Sequence, residues 1–526
     1  MRWVIALAFA GAIAAPAQEV SWERILNSDK EPGNWLTYSG NLLGHRYSKL
    51  SQINVSNVNR LRPVWIYQIA EAHKLETSPI VVDGMMYITE PPGTVLALEL
   101  KTGRPVWTFK HPLPTDLRLC CGQPNRGVAV LGNLLFYGTL DARLIALDIK
   151  TGRKIWEAVM AEYKKGFSST GAPLVVKDKV ISGIAGGEFG VRGFIAAYDA
   201  KTGKEAWRFW TVPVPGEPGV ETWGLNSWKT GAATTWLTGA YDPETNLVIW
   251  GTGNPGPDWN GDVRPGDNLY SDCVIAVDAD TGKLKWHFQF TPHDVWDWDS
   301  VQVPILTEGV VHGQKRKLLL WANRNSYYYV IDRTSGQFLH GKPFVKQTWS
   351  KGLDDKGRPI VIAGMQPSVE GTKVFPDIGG GTNWWSSSYN PQTNLYYVAA
   401  RESGAIFYKG EADYKEGTLF NAGGARQIPD DRFGAIRALE PTTGNLVWEF
   451  KLHRTPGAGI LTTEGGIAFT GTSEGDLIAL DAKSGKLLWR FRTGGSVSSN
   501  AVTYLHEGKQ QIAMAAGKGL FVFEVE

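Results

Sequence analysis

One phrase recurs along this chain: an apolar pair, an acidic residue, a short spacer, Thr-Gly or Ser-Gly, and a tryptophan four residues after the glycine. It reads ALELKTGRPVW to Trp107, ALDIKTGRKIW to Trp156, AYDAKTGKEAW to Trp207 and AVDADTGKLKW to Trp286. It returns as ALEPTTGNLVW to Trp448 and ALDAKSGKLLW to Trp489, and a degenerate copy, VIDRTSGQFL around Gly336, lacks the tryptophan. Apolar residues alternating with polar ones before such a turn make a strand–turn–strand unit, in which glycine supplies the positive φ of a tight hairpin. A tryptophan at a fixed offset from each turn buries a large area against the neighbouring unit while its N–H finds an acceptor. Repeats of this length and strand content predict an all-β fold, an eight-bladed β-propeller with Trp-docked blades, and not a helical solenoid. Gly103, Gly152, Gly203, Gly282, Gly336, Gly444 and Gly485 are separated by 49, 51, 79, 54, 108 and 41 residues. The longest gap predicts one further unit around Gly404 in RESGAIF. Blades averaging about 64 residues exceed the ~40–45 of a minimal blade, so long loops are inserted, and function is expected on them.

With 61 Gly and 22 Trp, the composition suits many strands joined by tight turns. The 54 Lys+Arg nearly balance 52 Asp+Glu, which leaves no electrostatic footprint for nucleic acid. Beyond the first twenty residues the chain has no apolar run long enough to cross a bilayer, so no membrane span is expected. At the N-terminus, Arg2, the apolar run 3–14 and Ala15-Pro16-Ala17 read as a signal peptide over 1–17. That leaves 18–526 as one propeller domain in an oxidising compartment, the periplasm, where disulfides persist. No C-x-x-C-H sequence attaches a haem, and nine His without H-E-x-x-H make a zinc site unexpected.

The loops carry Cys120-Cys121, GGEFGVRG, GTGNPGP and WDWD. Together with the Trp repeat, in this order and spacing, they resemble the quinoprotein alcohol dehydrogenases that use pyrroloquinoline quinone (PQQ), from about Trp35 to the C-terminus. The resemblance implies a vicinal Cys120–Cys121 disulfide against one face of the quinone. A bridge between neighbours closes an eight-membered ring, strains the peptide and contributes little loop entropy, so a functional reason for it is expected. Cys273 is assigned to a blade core as a small apolar residue. Trp236 in AATTW matches the family's indole floor, with Thr234 beside it. The resemblance places Glu76, Arg126, Thr170, Gly186, Gly187, Asn383 and Trp384 around the rim. Arg126 suits the three PQQ carboxylates because its planar fork matches a carboxylate. Arg324 in WANRNSYY corresponds to a cation beside the quinone oxygens, where it stabilises developing negative charge.

Glu188, Asn254, Asp297 and Asp299 are the implied metal ligands, and oxygen-only ligation selects a hard cation. Residues two apart in extended chain point to one side, so Asp297 and Asp299 are expected to face one ion. Three carboxylates favour a lanthanide(III) over Ca²⁺, and the same Asp spacing marks the family's lanthanide-dependent branch. The implied reaction is oxidation of a primary alcohol to an aldehyde by hydride transfer, with Asp297 as base and the metal as Lewis acid. Electrons are then expected to pass to a separate soluble cytochrome c. The assembly state stays open, a homodimer among the options. Two departures bear on substrate. Ala185-Gly186-Gly187 replaces the family's Ser-Gly-Ala, and TPGAGIL puts Gly457 where relatives carry a Trp, altering a pocket or entrance wall. A sugar, polyol or other hydroxylated substrate therefore stays open. A non-enzymatic scaffold or assembly propeller is the rival class, but it has no use for Cys120-Cys121 or WDWD.

Overall fold

The acid that precedes each Thr-Gly turn closes it. The Asp199 carboxylate accepts hydrogen bonds from the amide and hydroxyl of Thr202 (2.8 and 2.7 Å), and the Gly203 amide donates to the Asp199 carbonyl at 2.8 Å. Asp148 with Thr151, Asp278 with Thr281 and Asp481 with Ser484 repeat the arrangement. The turn leaves Gly203 at φ +71° with its bare Cα facing the preceding unit, where a Cβ would lie 2.5 Å from Trp156 Cε3. Trp156 completes the joint by donating from Nε1 to the Ala200 carbonyl at 3.0 Å. The same pair of contacts joins Trp107 to the Gly152 turn, Trp207 to the Gly282 turn and Trp448 to the Gly485 turn. Each repeat is thus a hairpin and a socket for its neighbour's indole.

The computed structural model describes residues 19–69, 74–429 and 432–526. The signal peptide expected over 1–17 lies outside them. Four-stranded antiparallel sheets are built by 80–110, 129–159, 174–210, 240–289, 305–343 and 388–452. A sheet over 461–492 gains Tyr47–Ser48 as a fifth, parallel strand. The last sheet joins the two ends of the chain, because Leu61–Gln68 pairs antiparallel with Gly519–Val525 beside Lys509–Ala516 and Val502–His506. Inner strands such as Cys273–Asp278 are buried along nearly their whole length, and Cys273 is a free thiol in a sheet core, as expected.

The structure corrects the repeat count in one place. Gly404 does not mark a further unit: Leu395–Glu402 pairs with Ser388–Asn390 and Phe433–Leu439, whereas Ala405–Lys409 enters a separate three-stranded sheet with Thr372–Val374 and Gly423–Gln427. The long gap therefore holds inserted sheets, this one and the pair Ser350–Leu353 and Pro359–Val361. The unrecognised unit is the end-joining sheet. It has no Thr-Gly turn, yet Trp65 from its Leu61–Gln68 strand lies against Gly103 and donates to the Leu100 carbonyl at 2.7 Å. The copy without a tryptophan is also served. Tyr328 lies under Gly444 and its hydroxyl donates to the Pro441 carbonyl at 2.7 Å.

Candidate active site

The WDWD segment is an irregular loop pinned by its two tryptophans. Trp296 and Trp298 stack at 4.7 Å, and both pack against Trp349 from the inserted segment. Their Nε1 atoms donate to the Met365 and Asp377 carbonyls at 3.1 and 3.0 Å. Buried Asp294 caps the loop by accepting from the Trp296 and Trp298 amides. Asp297 stands between the anchors at φ +62°, a left-handed conformation that aspartate tolerates better than most residues. The chain here is not the extended strand expected from the spacing. Asp297 and Asp299 nevertheless both line one cavity, because the alternating indoles bury the other side. The inserted segment from Trp349 to Asp377 is therefore the floor beneath the acids.

That cavity, about 270 Å³, gathers most of the expected site residues. Glu76, Cys120, Cys121, Arg126, Thr170, Gly186, Glu188, Thr234, Trp236, Asp297, Asp299, Arg324, Asn383 and Trp384 all line it. Gly187 and Asn254 stand just behind. A Cβ on Gly187 would lie 3.3 Å from Thr234 Oγ1, and the Asn254 amide donates to Asp299 Oδ1 at 3.1 Å. Arg324 follows a buried strand and is wrapped by the 379–381 glycines: a Cβ on Gly380 would meet its Cβ at 2.5 Å. Its guanidinium donates to the Asp297 carbonyl (2.9 Å) and Asn383 Oδ1 (3.2 Å) and pairs with Asp299 Oδ2 at 3.2 Å.

The cavity is electrically polarised. At one end Glu76 is matched by two cations, Lys74 at 2.6 Å and Arg126 at 2.9 Å. The Arg126 contact is an ion pair without hydrogen-bond alignment, since Glu76 Oε2 has no hydrogen-bond partner. Arg126 also covers the faces of Trp384 and Trp236, at 4.5 and 5.0 Å. The other end carries Glu188, Asp297 and Asp299 beside Arg324, with buried Asp258 behind them. Burial, then the charges of Asp258, Asp299 and Glu188, push the Asp297 carboxyl well above the usual carboxylate range against the pull of Arg324. Burial and Glu188 do the same to Asp258. An anionic, planar, acceptor-rich ligand fits the first end and a multivalent cation the second. The buried Nε groups of Arg126 and Arg324 have no protein acceptor, as donors awaiting such a ligand would.

One expectation needs correcting. Cys120 and Cys121 are free thiols, not a vicinal disulfide. The ring would strain the peptide between neighbours, and instead Cys121 Sγ donates to Glu188 Oε1 at 3.4 Å. The Cys121 hydrogen bond, then burial and the Glu188 charge, push the Cys120 thiol up. Among the described residues, the tight cluster of ligand atoms is Cys120, Cys121 and Glu188, within 4.8 Å of one another. Glu188, Asp297 and Asp299 are not drawn that close, because Asp299 is engaged by Arg324 and Asn254. Gly457 packs towards the Val497 carbonyl and does not line the cavity, whereas Ala185 does. Sequence reasoning missed Lys74 and Asp258. Each lies close to a residue already singled out, Lys74 two before Glu76 and Asp258 four after Asn254.

Comparisons with known proteins show the family. A family model described as "Glucose/ethanol/alcohol dehydrogenase, beta-propeller domain" matches residues 35–345, and one described as "Outer membrane protein assembly factor BamB" matches 432–526. Quinoprotein alcohol dehydrogenase PedH of Pseudomonas putida is 41% identical, over 98% of this chain and 90% of its own length. The lanthanide-dependent methanol dehydrogenase of Methylacidiphilum fumariolicum is 36% identical, over 98% of this chain and 89% of its own length. Among solved structures, a europium-containing methanol dehydrogenase superposes with a TM-score of 0.91 at 33% identity, covering 95% of this chain and 100% of that one. Quinohemoprotein alcohol dehydrogenase ADHIIG of P. putida HK5 gives a TM-score of 0.92 at 35% identity, covering 97% of this chain and 83% of that one. Fold and site together define a β-propeller oxidoreductase. The chain belongs to the PQQ-dependent quinoprotein alcohol dehydrogenase family.

Proposed function

We propose that this enzyme oxidises a small primary alcohol to its aldehyde, with PQQ and one lanthanide(III) ion in the cavity described above. The observation that carries the reading is the division of one cavity into a cationic end, Lys74 and Arg126 around Glu76, and an end lined by three carboxylates, Glu188, Asp297 and Asp299. When bound, PQQ supplies a two-electron acceptor for the hydrogen on the alcohol carbon, and the metal a Lewis acid. Arg126, Thr170, Asn383 and Trp384 hold the carboxylate-bearing rim, and Trp236 offers a flat face. Glu188, Asn254, Asp297 and Asp299 hold the cation, whose charge offsets the repulsion among the acids and favours ionised Asp297. Asp297 then takes the substrate hydroxyl proton on its carboxylate. Arg324, fixed by Asp297, Asn383 and Asp299, stabilises negative charge developing beside it.

Asp299 supports the trivalent ion, because a third carboxylate leaves excess negative charge around a divalent one. Two proteins similar to this chain, a lanthanide-dependent methanol dehydrogenase and a europium-containing methanol dehydrogenase, support that choice. The eight-bladed count is supported by the eight sheets of four or five strands, the last of which joins the chain ends. Export to the periplasm rests on the 1–17 leader, and a separate soluble cytochrome c as electron acceptor rests on the absence of a C-x-x-C-H haem motif. Titrating PQQ into the protein while following tryptophan fluorescence tests cofactor binding. Quenching should saturate at one PQQ per chain, and Trp236→Ala should weaken binding about tenfold. Absence of saturable quenching in the wild type removes PQQ from this cavity.

A further inference from the structure

Behind the proposed metal ligands lies a buried acid that neither the motif reading nor the family resemblance assigns. Asp258 is 1% exposed and accepts a hydrogen bond from Asn254 Nδ2 at 2.8 Å. A carboxylate only accepts, so this contact fixes which end of the Asn254 carboxamide faces it. The NH₂ points to Asp258, the oxygen points the other way, and no hydrogen bond among the described residues ends on that oxygen. Asn254 is itself tied to the site through its backbone amide, which donates to Asp299 Oδ1 at 3.1 Å. Asp258 is held in turn from behind. Arg264, fully buried, donates to the Pro257 carbonyl at 3.1 Å and to the Asp258 carbonyl at 3.5 Å.

We infer that Asp258 is a positioning residue, which orients the Asn254 carboxamide so that its oxygen is presented to the cation. The inference rests on the metal reading above. Without the acid, the carboxamide is free to turn its NH₂ towards the site, and an NH₂ is no ligand for a cation. Outer partners of metal ligands commonly contribute ten- to a hundredfold to metal affinity, because they set ligand orientation before the ion arrives.

A double-mutant cycle tests this, with isothermal titration of La³⁺ into metal-stripped, PQQ-loaded protein. Asp258→Leu, which removes the acceptor, should weaken La³⁺ binding at least tenfold. Asn254→Ala should do the same, and the double variant should lose no more than Asn254→Ala alone, because Asp258 acts through Asn254. Asp258→Glu, which keeps an acceptor, should recover part of the loss. Asp262→Asn, an exposed acid paired with Lys409 at 2.6 Å, should leave binding unchanged and so control for removal of a charge. Additive losses, or wild-type affinity in Asp258→Leu, overturn the positioning role while the metal site stands. A wild type that binds no La³⁺ overturns the metal reading, and this inference with it. Should Asp258→Leu fold poorly, the comparison of Asp258→Glu with wild type decides: retained affinity supports the role, and loss equal to that of Asn254→Ala contradicts it.

Discussion

Asp297 is the residue on which the proposed chemistry turns, and its setting is costly. It stands at φ +62° among three other acids, with Arg324 as the nearby cation. Such a residue survives where the surroundings over-determine it. Here Trp296 and Trp298 do so, locked against Trp349. Replacing Asp297 with Asn keeps the size and most hydrogen bonds but removes the proton acceptor. Turnover of the PQQ- and metal-loaded variant should fall by ~10²–10⁴-fold, while PQQ binding measured by fluorescence stays intact. Near-normal turnover would take the base role from Asp297. Most residues that meet in the cavity were legible through the family resemblance, because they sit in or beside the short motifs that carry it. Asp258 and Lys74 were not read because an acid in GNPGPD or a Lys in HKLE looks like ordinary loop polarity until burial and partners are known. The Cys pair shows the converse: adjacency raises a bridge as an expectation, and only geometry gives the unbridged thiols and the Cys121–Glu188 contact.

At the scale of the element, the working unit is the joint between one hairpin and the tryptophan of the sheet before it. Its two parts separate experimentally. Gly203 has positive φ and a Cβ would strike Trp156, whereas Gly508 has positive φ, +79°, with nothing within 4 Å of a Cβ. Gly508→Ala should cost only backbone strain, about 1–2 kcal/mol. Gly203→Ala adds displacement of the indole and loss of its seat, for a total of about 3 kcal/mol or more. Urea unfolding of both variants measures the difference; equal losses would mean that the indole contact contributes nothing. The repeat was readable as far as its Thr-Gly-to-Trp spacing persisted. Trp65 escaped notice because its strand stands alone near the N-terminus, and Tyr328 because a phenol on a different strand reproduces both contacts of the missing indole.

For the whole molecule, the decisive feature is that Leu61–Gln68 completes the sheet begun by the last three strands, so both ends of the repeat are paired and no open edge remains in that sheet's interior. No local pattern announces such a pairing, since it joins strands more than four hundred residues apart, and this is why the sequence pointed to Gly404 for the missing unit. The longest insertion breaks the periodicity and positions the site there, because the segment between the 305–343 and 388–452 sheets supports the acid loop. The account then has one central claim: this cavity oxidises alcohols with PQQ and a trivalent ion. Metal-stripped, PQQ-loaded wild type assayed by dye reduction with a series of primary alcohols, with La³⁺ or Ca²⁺ added, tests it directly. Alcohol-dependent dye reduction should be strong with La³⁺ and weak with Ca²⁺, and Asp299→Ala should abolish the La³⁺ advantage. Equal rates with calcium alone, unchanged in Asp299→Ala, would contradict the trivalent assignment, and no alcohol-dependent reduction with either ion would contradict the function itself.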